Sequence, residues 1–150
     1  MTPAFLGPLD LRQTGGARWI TLAPLTYQSA VYGGVVVVPA KFVTDLASVP
    51  RVPFAFWLTG GRAHGPAVVH DWLYQKPDFE DRAKADAVLY EAMGVSQPSL
   101  GFEAESAWTR WMIYVGVRAG GWVAWRNHGK RGAELNPIWT ADKWPSSEGP

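Results

Sequence analysis

Residues 66–75 read PAVVHDWLYQ, an apolar run with a histidine and an aspartate set side by side in its middle. Proline suits the first position of a helix, and Pro77 stops one. The stretch therefore predicts a short helix from Pro66 to about Gln75. On such a helix His70 and Tyr74 lie four apart and share a face, while Asp71 is turned away from His70 by about 100°. A helix this apolar is buried, so its two adjacent ionisable groups need partners or a task.

Upstream of this helix the pattern is that of strands. ARWITL (17–22), LTYQSA (25–30) and VYGGVVVV (31–38) are rich in β-branched and aromatic residues, are interrupted at Pro24 and stop at Pro39. The pair Gly33-Gly34 predicts a turn or bulge within the third segment. Together these make a small antiparallel sheet. Between 40 and 63, prolines at 50 and 53 and glycines at 60 and 61 forbid long regular elements, so an ordered loop with one short helical turn is expected there.

Downstream, a second helix is predicted over 79–93, capped by Asp78 and closed by Gly94. A third is predicted over roughly 102–118, with Trp108, Trp111, Met112 and Val115 at helical spacing. The fold class is therefore α+β, a small N-terminal antiparallel sheet followed by about three helices. Residues 1–126 form one domain, and 127–150 form a polar tail that is extended or ordered only against a partner.

The composition excludes several function classes. At 150 residues the chain holds one core, and with 47% hydrophobic and 18% charged residues it folds. A net charge of +1 with scattered basic residues provides no electrostatic footprint for nucleic acid. The absence of cysteine excludes disulfides, zinc knuckles and thiol catalysis. The nine tryptophans point to a rigid core or an interface. The start, MTPAFLGPLDLR, has no basic region before its apolar residues, so the expectation is a cytoplasmic product without a secretory signal. The most apolar stretch, 108–125, is interrupted by Arg110 and Arg118, so no transmembrane segment is expected.

Two groups of residues can carry chemistry. On the second helix Arg82, Asp86 and Tyr90 form a row at four-residue spacing. If the first two helices pack antiparallel, Asp86 approaches His70 and orients its ring, as a carboxylate does for a general base or a metal-bound imidazole. The loop FVTDLASVPR (42–51) adds Thr44, Asp45, Ser48 and Arg51. These residue types can supply a metal-binding carboxylate, a hydroxyl and an anion clamp. They equally suit an elaborate turn in which Asp45 and Ser48 cap backbone N–H groups and Arg51 pairs with Asp45. One histidine with several carboxylates fits a metal-assisted hydrolase, and it fits a buried hydrogen-bond network as well. His64 and His128, each beside a glycine, are expected to be exposed and are assigned no role.

Three ordered motifs, VPAKFVTDLASVPR, AVVHDWLY and RAKADAVLYEAM, resemble the phage and prophage family known as domain of unknown function thirteen fifty-three. The resemblance spans about residues 17–126 and implies a viral context near tail or lysis genes. A second, narrower likeness is to the HDxxY helix of secreted and parvoviral calcium phospholipases. Carried over, it implies His70 as the base that activates water, Asp71 as a calcium ligand, Asp86 as the residue that orients His70, and Tyr74 as a buttress. Those enzymes take most calcium ligands from a glycine-rich loop just before the helix, and here only Gly60-Gly61 is available, in a different context.

Two functions follow. The first is a metal-assisted hydrolase of the bacterial envelope, acting on peptidoglycan or lipid during entry or lysis. Its base would be His70, and Asp45, Asp71 and Asp86 would be the carboxylate partners of a divalent ion, calcium or zinc. The second is a non-enzymatic virion component at the tail or tail tip, whose Trp-rich third helix docks on other virion proteins. The first needs His70 reachable by solvent in a pocket lined by carboxylates. The second needs His70 buried and hydrogen-bonded, with exposed apolar surface on the third helix.

Overall fold

A computed structural model describes residues 1–15, 18–46, 64–76 and 78–136. Among the described residues, six short strands precede four α-helices. β1 (Ala4–Phe5), β4 (Leu25–Ser29) and β5 (Gly34–Val38) form one antiparallel sheet in the order β1-β4-β5. β2 (Leu11–Gly15), β3 (Arg18–Thr21) and β6 (Val43–Thr44) form another in the order β2-β3-β6. The α+β class is as expected, but one predicted sheet is two. β1, β2 and β6 carry too few residues of strand type for their pattern to stand out.

The β4–β5 hairpin follows from period two. Leu25, Tyr27 and Ser29 alternate inward on β4, and Val36 and Val38 do so on β5, with Leu25 opposite Val38 and Tyr27 opposite Val36. The turn needs Gly33, whose φ of +82° disfavours a side chain. Helix α1 (His64–Gln75) lays Val68, Val69, Trp72 and Leu73 in one cluster with Phe5, Tyr27, Val36 and Phe42. Phe42 meets Trp72 edge to face at 5.3 Å. Burial on nearly all sides is what its apolar sequence demands.

The other helices depart from their predicted bounds. α2 spans Arg82–Ala92 and is capped by Asp81, which accepts from Lys84 N at 2.9 Å. Asp78, the predicted cap, pairs instead with Lys76 at 3.2 Å. α3 spans Ala107–Arg126, capped by Ser106 and much longer than predicted at its C-terminal end. Residue 102 is not in it, because Phe102 bridges to Gln97 and stacks on Phe5 at 3.9 Å. Gly120 and Gly121 do not end the helix, since its packing against α2 and Tyr74 overrides their weak propensity.

Beyond Asn127 the predicted extended tail is, over its first residues, helix α4 (His128–Leu135). It ends on Asn136, which is buried. Val43 N–H donates to Asn136 Oδ1 at 2.7 Å, and Asn136 Nδ2 donates to Val43 O at 3.1 Å and to Gln75 Oε1 at 2.7 Å. The side chain thus closes the edge of β6 as a neighbouring strand would. Residues 137–150 of the predicted tail lie outside the described residues.

Asn136→Ala leaves the Val43 backbone and Gln75 unpaired in a buried place. It should lower stability by about 2 kcal/mol, read in a thermal melt as a fall of roughly 5 °C.

Candidate functional site

The predicted row on α1 is formed: the His70 and Tyr74 rings lie 4.1 Å apart on one face of the helix. α2 brings Asp86 to them, and its side chain is wholly buried. His70 Nε2–H donates to Asp86 Oδ1 at 2.9 Å and Tyr74 O–H to the same oxygen at 2.6 Å. The other oxygen, Oδ2, accepts from Arg118 Nη1 at 3.0 Å. Arg118 comes from α3, and Arg82 Nη2 donates to the Arg118 carbonyl at 2.8 Å. Three helices therefore meet at one carboxylate.

Gly121 makes the meeting possible. A Cβ at that position would lie 2.7 Å from the Tyr74 hydroxyl, too close for any substitution without displacing the ring. Trp125, one turn further along α3, packs edge to face on Tyr74 at 5.1 Å.

The electrostatics follow from these partners. Burial pushes the Asp86 carboxyl up. Hydrogen bonding and attraction to His70, with hydrogen bonds from Tyr74 and Arg118, outweigh it and hold the carboxyl below the usual aspartate range. The Tyr74 phenol moves far up, through burial first and then its bond to Asp86, so it remains a proton donor. An ionised Asp86 only accepts, so His70 Nε2 carries the proton of their hydrogen bond.

Of the second predicted group, Thr44 and Asp45 lie among the described residues. Asp71 accepts a short hydrogen bond from the buried Thr44 hydroxyl on β6, which ties the sheet to α1. Asp45 follows Thr44 and is half-buried, and Ser48 and Arg51 lie outside the described residues, as do Gly60 and Gly61. Among the described residues no group of three His, Asp or Glu side chains is placed to hold a metal ion. Both oxygens of Asp86 are occupied, and Asp71 is engaged by Thr44.

A cavity of about 290 Å³ lies elsewhere, at the start of α1, lined by Leu9, Leu11, Trp19, His64, Leu100 and Phe102. His64, expected to be exposed, is half-buried there, its ring 5.9 Å from that of Trp19.

Spacing alone finds His70, Tyr74 and Asp86; it misses Arg118 and Glu91. Glu91 accepts from Tyr27 and Ser29 at Oε1 and from the Ala30 and Val31 N–H groups at Oε2, holding the β4–β5 turn. The one local signal for Arg118 is a charged residue inside the most apolar stretch of the chain, directly after the buried Val117. Nothing local marks Glu91, whose partners lie some 60 positions away.

The depressed Asp86 carboxyl makes a pH prediction. Because its folded value lies below the unfolded one, its contribution is complete above the ordinary value of 3.8 and is lost as pH falls through the folded value. The wild-type melting temperature should therefore drop as pH falls below about 4. Asp86→Asn, which leaves three donors facing an amide, should cost about 3 kcal/mol at neutral pH and flatten that acid dependence in melts across the pH range.

A family model described as protein of unknown function (DUF1353) matches residues 19–117, two thirds of the chain, and includes His70, Asp71, Tyr74 and Asp86. It ends one residue before Arg118. No curated protein and no solved structure matches the chain, and the family match carries no phospholipase assignment. With two thirds of its length covered, this chain belongs to the DUF1353 family of proteins of unknown function.

Proposed function

We propose that the protein is a non-enzymatic component of a phage particle, at the tail or tail tip. In this reading its buried polar network fixes the helices, and the outward face of α3 docks on neighbouring subunits. The observation that carries this reading is the state of His70, which is only 4% exposed and has Nε2 committed to Asp86. Its other support is the surface of α3, where Trp108 and Trp111 are more than half exposed. A buried, engaged histidine and an exposed tryptophan face are what a structural part requires. The phage setting rests on the resemblance of the three motifs.

A second reading, the envelope hydrolase, is favoured by the dyad itself. A carboxylate that holds His70 Nε2–H leaves Nδ1 as a base, the arrangement that activates water for attack on an acyl or amide centre. Peptidoglycan or lipid would be the substrate. In this reading Asp71 and Asp45 are the residues from which a calcium or zinc site would be built.

Thermal melts of wild type and His70→Ala, each with and without calcium or zinc, separate the two. The structural reading expects no metal shift and a mutant midpoint lower by roughly 5–10 °C, because a fully buried carboxylate loses a donor. A metal that raises the wild-type midpoint but not the mutant's, together with a folded His70→Ala that has lost lipid or peptidoglycan hydrolysis, would establish the hydrolase instead.

A further inference from the structure

Helix α3 has two apolar faces. Thr109, Ile113, Val117 and Gly121, four apart, are buried against the domain. Trp108, Trp111, Val115, Trp122 and Val123 face outward, each between 42% and 64% exposed. At 3.6 residues per turn these fall within an arc of about 120° that runs the length of the helix. Trp108 and Trp111 stack on each other at 5.3 Å, which makes a flat aromatic plate at the N-terminal end.

The charges are distributed unevenly along this face. α3 contains three charged residues, Arg110, Arg118 and Arg126, all basic. Arg110 is held over Tyr90 and bonds its carbonyl, and Arg118 is held by Asp86. That leaves Arg126, exposed at the C-terminal end with its guanidinium over the Trp122 ring, and the exposed Lys130 just beyond. The opposite end is acidic: Glu103 and Glu105 immediately precede the helix.

We propose that this face pairs with the same face of a second copy of the chain, the two α3 helices running antiparallel about a two-fold axis. A patch that meets itself must be self-complementary. Antiparallel pairing sets Arg126 and Lys130 of one copy against Glu105 and the Trp108–Trp111 plate of the other, and it opposes the two helix dipoles. Parallel pairing would set Arg126 against Arg126. The exposed apolar side chains offer roughly 500 Å² per copy, so a pair removes about 1,000 Å² from water, the lower bound for a specific interface. A lipid surface fits less well, because a helix lying on one carries basic rather than acidic flanks. The proposal rests on reading this face as a docking surface, and it names the partner.

The test is sedimentation of the full chain with variants on this face. Wild type should be in a concentration-dependent monomer–dimer equilibrium. Trp111→Ser should raise the dimer Kd by about 30-fold with an unchanged melt at concentrations where both are monomeric, since Trp111 makes its stacking contact on the surface. Because the chain has no cysteine, single-cysteine variants report geometry directly. Trp108→Cys and Arg126→Cys should form a disulfide with each other when mixed, and neither with itself.

A wild type that stays monomeric at about 0.2 mM, well above the micromolar range of ordinary interfaces, would overturn the proposal. So would a monomer that cosediments with anionic phosphatidylglycerol vesicles, or Arg126→Cys linking to itself. Those failures leave the melt of His70→Ala unchanged, so loss of the second copy and loss of the structural reading are seen in different measurements.

Discussion

Everything in the helical half depends on where the Asp86 carboxylate can find donors. A wholly buried negative charge is costly unless its oxygens are engaged, and Arg82, one turn before it on α2, donates instead to the Arg118 carbonyl. The donors come from His70 and Tyr74 on α1 and from Arg118 on α3. Sliding any one of these helices by a turn would strand the charge. The network therefore specifies a single arrangement of three helices, which generic apolar packing among Val, Leu and Ala would leave less defined. Its net contribution to stability is a smaller matter than this selection, because the desolvation of Asp86 and Arg118 offsets much of their attraction.

The sheet half uses the same device with neutral groups. A chain this small leaves short strands with open edges, and side chains from distant positions close them. Gln97 bonds both the N–H and the carbonyl of Phe5, and Asn136 does the same for Val43, each standing in for a missing strand. Glu91 supplies both carboxylate oxygens to the β4–β5 hairpin. Thr44 then links β6 to Asp71 on α1, one position from His70. The sheets and the helical network are thus coupled through adjacent residues of a single helix.

α3 occupies an unusual position, because it is bound on one side by this network and remains apolar on the other. Its inner face needs small or modest residues to approach Tyr74, which explains Gly121. Its outer face has no such constraint and yet carries large rings. Those exposed rings are the surface on which the proposed pairing of two copies rests.

Much of this was legible in the sequence because it is local. The apolar run around His70 required a buried helix, the Val-rich segments required paired strands, and four-residue spacing put His70 and Tyr74 on one face with Asp86 within reach of a neighbouring helix. The absence of cysteine excluded disulfides without any fold. Only the tertiary structure decided which acid caps α2, that Arg118 completes the Asp86 network, that Glu91 and Asn136 serve strands some 60 to 93 positions away, and which side of α3 faces the core. Composition and periodicity record how a residue relates to its near neighbours along the chain. A hydrogen bond between distant segments leaves no periodic trace, and a helix apolar on two faces has a pattern that cannot say which face is buried.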